Sequence, residues 1–199
     1  MKVKIKKGSK SKEFKLINSW SDVTLETWLK LIDFETGTKT EEATETIAAL
    51  SDIPKQLVKE LSLSDVVVIM SKIGELQAKQ DTELKRIIEI NEVEYGFHPD
   101  LDSISLGEYA DIEQFIKNGI DKNLPELMSV LYRPIKLKKN DIYIIDSYDG
   151  DIRLRAEEMK QMSAEQVQSA LVFFYTLGKV LSEITLSFSM ERLKEMKTQ

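Results

Sequence analysis

Ser21 to Asp33 reads SDVTLETWLKLID, and 81 residues further on Asp102 to Gln114 reads DSISLGEYADIEQ. In both stretches a hydroxyl residue stands directly before a leucine, Thr24-Leu25 and Ser105-Leu106, with an aromatic three residues on, Trp28 and Tyr109. Ser or Thr at that place is a helix N-cap, and Ser105 with Glu108 completes a capping box, as Ser163 with Gln166 does further along. The same shift lays Ile47 to Leu50 (IAAL) on Met128 to Leu131 (MSVL), and it lays Phe14 and Leu16 on Tyr95 and Phe97. Pro54 and Pro134 match to within one residue. Three segments in one register point to an internal duplication.

A third helix follows in each half after an unequal gap. Ser62-Leu-Ser-Asp65 opens the apolar run Val66 to Leu76, and Ser163-Ala-Glu-Gln166 opens Val167 to Leu181, so the shift has grown to 101 and the second copy carries about twenty extra residues. Those residues, Asp141 to Arg155, read as a hairpin of IYII and IRLR about an Asp149-Gly150 turn. Arg86 to Ile90 and Val93 to Phe97 flank Asn91-Glu92 as a tight hairpin, while Val3 to Ile5 and Phe14 to Ile17 pair more loosely across Lys6 to Glu13. Phe34 to Thr40 and Lys136 to Asn140 read as polar loops. The expected fold is therefore mainly α with small β-hairpins (α+β). Residues 1–82 form one unit, and residues 83–199 form the second, with the 141–155 hairpin and a C-terminal helical extension. No low-complexity linker separates them, so the two should pack around a shared core or a pseudo-twofold axis.

Helical spacing on one face names that core: Leu25, Trp28, Leu29, Ile47, Leu50, Val67, Met70 and Ile73, with Leu106, Tyr109, Ile112, Met128, Leu131, Leu171 and Leu177. The chain is long enough for it, with 199 residues, 42% hydrophobic and 31% charged. There is no cysteine, which excludes disulfides, thiolate metal sites and cysteine nucleophiles and fits a reducing compartment. No signal peptide is legible, and the longest apolar stretch, Ala170 to Leu181, falls short of the roughly 20 residues of a membrane span and contains Lys179. The net charge of -6 divides unevenly, because seven lysines against Glu13 make the first 15 residues basic. That arm, Lys2 to Lys15, reads first as a lysine-guarded edge strand and second as a nucleic-acid contact.

Catalytic, cofactor and metal signatures are missing from the sequence. His98 is the only histidine, precedes Pro99, and reads as a loop residue at a strand end. Asp146 to Asp151 fails as a calcium loop, since setting Gly150 at position six puts Ile145 at position one and Ala156 at position twelve. Gly178-Lys179 fails as a phosphate loop because Phe173 stands where the first glycine belongs. A general acid needs burial to raise its pKa, and the acidic residues read as solvated helix faces or turns. Two places suit a partner instead. Tyr132-Arg133-Pro134 ends a helix as a stacked cap or an interface anchor. Past the third helix of the second unit, Phe188, Met190, Leu193 and Met196 continue an apolar pattern that the first copy lacks, as a partner surface or as a docked helix.

The motifs W-x-D-x-T-L (Trp20 to Leu25), I-x-x-L-x-x-I-P (Ile47 to Pro54) and L-x-x-x-L-Y-R-P (Leu127 to Pro134) together resemble small morphogenesis proteins of tailed bacteriophages, above all tail-assembly chaperones. The resemblance spans Trp20 to Leu181, while the 141–155 hairpin and the lysine-rich N-terminus depart from it. It implies a non-enzymatic protein that binds a tape-measure or tail-tube subunit until assembly consumes it, in the cytoplasm of the host cell. A permanent virion component, such as a neck, ring or cargo protein, is the alternative in that setting, and a generic intracellular adaptor is the alternative outside it. The implied partners are phage structural proteins or further copies of the chain, with no membrane and no cofactor.

Overall fold

In a computed structural model of the chain, residues 1–7, 10–33, 37–77 and 83–173 are described. The first strands, β1 (Lys2–Lys7) and β2 (Lys10–Lys15), pair antiparallel with Val3 opposite Phe14. The period of two turns Val3, Ile5 and Phe14 inward and leaves Lys2 and Lys4 in solvent. Both strands run closer to their connection than the expected segments did. A 3-10 turn at Trp20–Asp22, capped by Ser19, leads into α1 (Leu25–Asp33), where the Thr27 N–H donates to Thr24 Oγ1 at 3.2 Å. Then come α2 (Lys39–Ala49), α3 (Lys55–Val58) and α4 (Leu63–Gln77), the last opened by the Asp65 N–H donating to Ser62 Oγ.

The second half begins with β3 (Ile87–Ile90) and β4 (Val93–Phe97), joined at Asn91 and Glu92, which take φ of 50° and 66° as a primed hairpin turn requires. After a 3-10 turn at Leu101–Ser103 come α5 (Leu106–Lys117) and α6 (Leu124–Leu131). The chain then enters β5 (Tyr132–Lys139) and β6 (Ile142–Ile145), followed by α7 (Ile152–Met159) and α8 (residues 164–173). Strands β3 to β6 form one antiparallel sheet in that order. The protein is thus mixed α+β, with a four-stranded sheet larger than hairpins alone.

The 81-residue shift has a geometric counterpart. An isolated antiparallel bridge joins Leu16 to Ser51, and the sheet pairs Phe97 with Tyr132. The Ile17 N–H donates to the Leu50 carbonyl at 3.0 Å, and the His98 N–H donates to the Leu131 carbonyl at 2.7 Å. The 3-10 turns at Trp20–Asp22 and Leu101–Ser103 and the starts of α1 and α5 are also 81 apart. Buried residues coincide at Phe14 and Tyr95, Leu16 and Phe97, Ile47 and Met128, and Leu50 and Leu131. At the shift of 101, Ser62 caps α4 as Ser163 caps α8, and buried Val58 falls on buried Met159.

Several expectations fail. The stretch IRLR is the first turn of α7, not a strand, and the second hairpin turns at Asn140, whose φ is 54°. Gly150 has a φ of 77°, but it feeds a helix because Asp149 takes the Asp151 N–H and the Arg155 guanidinium back onto itself. Lys136 to Lys139 is strand rather than loop. Val67, Leu106 and Tyr109 are exposed, because α4 and α5 turn other faces inward, with Ile69 and Ile73 on one and Glu108 and Ile112 on the other. Leu177 lies outside the described residues.

Among the described residues two apolar clusters result. One gathers Val3, Phe14, Leu16, Trp20, Ile47, Leu50, Ile53 and Ile69, and takes in Ala164 from α8. The other gathers Ile88, Phe97, Ile112, Leu127, Met128, Leu131, Tyr132 and Met159, and takes in Leu25 from α1. Trp28 packs against both. Main-chain bonds stitch this joint: Thr24 bridges Ser163, the Leu25 N–H donates to the Met162 carbonyl at 2.7 Å, and the Ala164 N–H donates to the Val23 carbonyl at 2.7 Å. Among the described residues no helix is long and apolar enough to cross a membrane.

Candidate functional site

The end of β4, the first turn of α5 and the start of β5 meet at a cluster of buried charge. Glu108 stands at the third position of α5 because Ser105 and Glu108 cap one another. The Ser105 N–H donates to Glu108 Oε2 at 2.8 Å, and the Glu108 N–H donates to Ser105 Oγ at 3.3 Å. The other carboxylate oxygen, Oε1, lies 2.8 Å from Arg133 Nη1 and 3.5 Å from His98 Nε2. All three side chains are buried. The Arg133 guanidinium also lies over the Tyr148 ring, 5.8 Å from its centroid, and the Tyr148 hydroxyl donates to Asp111 one turn further along α5.

Each group bends the titration of its neighbours. Burial pushes the Glu108 carboxyl up, but the two Ser105 hydrogen bonds with the charges of Arg133 and His98 outweigh it and hold the group below its ordinary value. Burial pushes His98 down, with Arg133 adding to the effect and Glu108 opposing it. Burial also pushes the Tyr148 hydroxyl well up, and its bond to Asp111 reinforces this. The arrangement is a neutral imidazole beside an ionised carboxylate that a guanidinium neutralises. The Ser105 hydroxyl is committed to the helix cap. Chemically the cluster ties three elements together.

Beside it lies a depression of about 190 Å³ lined by Arg86, Phe97, His98, Pro99, Asp100, Leu101 and Phe173. A larger groove of about 620 Å³ runs between α2, α3 and α4, with Ile47, Val58, Leu61 and Val66 along it and Lys39, Glu41, Glu45, Lys55 and Lys59 at its rim. Among the described residues no group of three or more His, Asp or Glu side chains is placed to hold a metal ion.

The expected interface residues divide. Tyr132 is buried with its hydroxyl donating to the Lys85 carbonyl at 2.7 Å and its ring edge-on to Phe97, and Arg133 is spent on Glu108. They begin a strand rather than end a helix, so they are core, not anchors. The signal was present in Pro134, since the residue before a proline is driven to extended backbone. Phe188, Met190, Leu193 and Met196 lie outside the described residues. Sequence reading missed Glu108, because a capping residue gives no sign of a guanidinium arriving from 25 positions away.

Large apolar side chains are exposed elsewhere. On the β5–β6 arm Leu137 pairs with Ile144, and Ile142 lies on the same outward face, on a strand that forms the edge of the sheet. Others stand on α4 (Leu63, Val67, Val68) and at the start of α5 (Leu106, Tyr109). Comparison with family models, curated proteins and solved structures finds no match to this chain.

Proposed function

We propose that the chain is a non-enzymatic bacteriophage assembly protein of the tail-assembly chaperone kind, which holds another structural protein through exposed apolar surface. The observation that carries this reading is the β6 edge. An unpaired edge strand whose outward face is apolar is a template for a further chain, and proteins without a partner usually blunt such edges with charge, proline or a bulge. Among the described residues β6 has no neighbour on its outer side, and Ile142, Ile144 and Leu137 stand exposed on this arm, although β5 beside it carries lysines and a register shift between Ile135 and Leu137. The motif likeness to tail-assembly proteins supplies the setting. The partner is an extended apolar segment of a tape-measure or tail-tube subunit.

Co-expression with tape-measure and tail-tube subunits of tailed phages tests the reading. One of them should co-purify with the chain and stay soluble, and Ile142→Glu with Ile144→Glu should abolish this. Retention of none of them sinks the proposal. Mass spectrometry of purified particles separates the alternative, since a permanent virion component is present at fixed stoichiometry and a chaperone is absent or substoichiometric.

We also infer that residues 1–82 and 83–199 are two copies of one ancestral unit. The shared bridge, hydrogen bond, 3-10 turn and helix start at a single shift support this, and the β5–β6 arm with the first turn of α7 is then an insertion in the second copy. An experimental structure in which residues 10–50 fail to superimpose on residues 91–131 ends that inference.

A further inference from the structure

The joint between the halves is built from two short segments. Val23-Thr24-Leu25, with Trp28 beyond it, receives Met162-Ser163-Ala164 through the Thr24 bridge to Ser163 and two main-chain hydrogen bonds of 2.7 Å. Leu25 and Ala164 are each 0% exposed there. If the halves are copies, each segment has a counterpart. The shift of 81 turns the receiving segment into Ile104-Ser105-Leu106 with Tyr109, and the shift of 101 turns the inserted segment into Leu61-Ser62-Leu63. Within one molecule these counterparts do not meet. Leu106 is 84% exposed and Leu63 is 80% exposed, against none for the residues they match. Both also stand at the first position of a helix, where the main-chain N–H has no acceptor within the helix, as did the N–H groups of Leu25 and Ala164 before the joint supplied one.

We propose that Leu61 to Leu63 of one molecule docks on Ile104 to Leu106 and Tyr109 of a second copy, repeating between molecules the joint that connects the halves within one. The proposal rests on the duplication inferred above. It explains why two leucines face water at the two places where the matching residues are most deeply buried, a pattern that separate partners for the two surfaces would leave as coincidence. A second copy is therefore the occupant the geometry selects. The two surfaces differ, so the contact is head-to-tail, and it builds a ring if the rotation between copies closes and a filament if it does not.

The test uses the full chain and two variants, Leu63→Glu and Leu106→Glu, examined by native mass spectrometry and sedimentation over a dilution series. Each substitution falls on an exposed side chain, so circular dichroism should report an unchanged fold. The wild type should associate beyond a dimer as concentration rises. Either variant alone should remain monomeric, because one of its two surfaces is closed. Mixing the two variants should give a 1:1 dimer and nothing larger, since each supplies the surface that the other has lost. A wild type that stays monomeric throughout, a variant that assembles like the wild type, or a mixture that forms no dimer overturns the proposal. Neither substitution touches the β6 edge, so retention of a tail subunit in co-expression continues to report separately on the assembly role.

Discussion

Glu108 and Arg133 meet at 2.8 Å where both side chains are almost wholly buried, and the contact joins the first turn of α5 to the first residues of β5. Removing one member of such a pair strands the other charge, whereas removing both does not. Arg133→Met should cost about 3 kcal/mol in urea unfolding, the low end for a broken buried pair, because Ser105 continues to hold the carboxylate. Adding Glu108→Gln to that variant should return part of the loss. A double variant less stable than Arg133→Met alone contradicts this account.

Acid should weaken the fold in two stages. His98 titrates below its ordinary 6.5 in the folded chain, so the unfolded chain takes the proton first and stability declines as pH falls through 6.5. Glu108 titrates below its ordinary 4.5, so its stabilisation is present above that value and is lost as pH falls beneath it. The melting temperature should accordingly stay level above neutrality, fall on moving below pH 6.5, and fall further below pH 4.5. His98→Gln should flatten the first stage and leave the second in place.

Gly96 lies under the Tyr143 ring, and a Cβ there would stand 2.6 Å from Tyr143 Cδ2 and 2.8 Å from Ile145 Cγ2. The ring cannot retreat freely, because its hydroxyl donates to the Phe97 carbonyl at 2.7 Å. Gly96→Ala should therefore destabilise by about 1 to 3 kcal/mol through overpacking. A neutral result in thermal unfolding would show that Tyr143 can shift.

Leu50 and Leu131 occupy matching places in the two clusters, each almost wholly buried. Truncation to alanine should cost roughly 2 to 5 kcal/mol at either one. Leu106→Ala should stay within about 0.5 kcal/mol of wild type at concentrations where the chain is monomeric, since nothing covers that side chain. Equal losses at all three would mean that the burial pattern is misread.

What the sequence disclosed is what it encodes locally. Capping pairs three residues apart, Ser105 with Glu108 and Ser163 with Gln166, formed as read, because both partners lie on one turn. The Asn91-Glu92 hairpin was legible for the same reason. Asp149-Gly150 misled, since a positive-φ glycine opens a hairpin or a helix with equal ease, and the deciding contact is Arg155 reaching back to Asp149. Face selection was the least legible. On α5 the periodic apolar residues Leu106 and Tyr109 point outward, and the inward place goes to Glu108, whose reason for being there is Arg133. Distant pairings of this kind leave no periodicity to read.

The joint at Thr24 and Ser163 closes a loop of about 140 residues, and that sets the order of events during synthesis. Leu25 is made well over a hundred residues before Ser163, yet the cluster that buries it is drawn from residues 88 to 170. At the usual translation rates of about 5 to 20 residues per second, the N-terminal unit waits on the order of ten seconds with the Leu25 face open before α8 arrives. A nascent chain of this design is briefly adhesive at the position its finished form closes. Neighbouring ribosomes on one messenger would then hold several such open faces close together before the intramolecular joint can form.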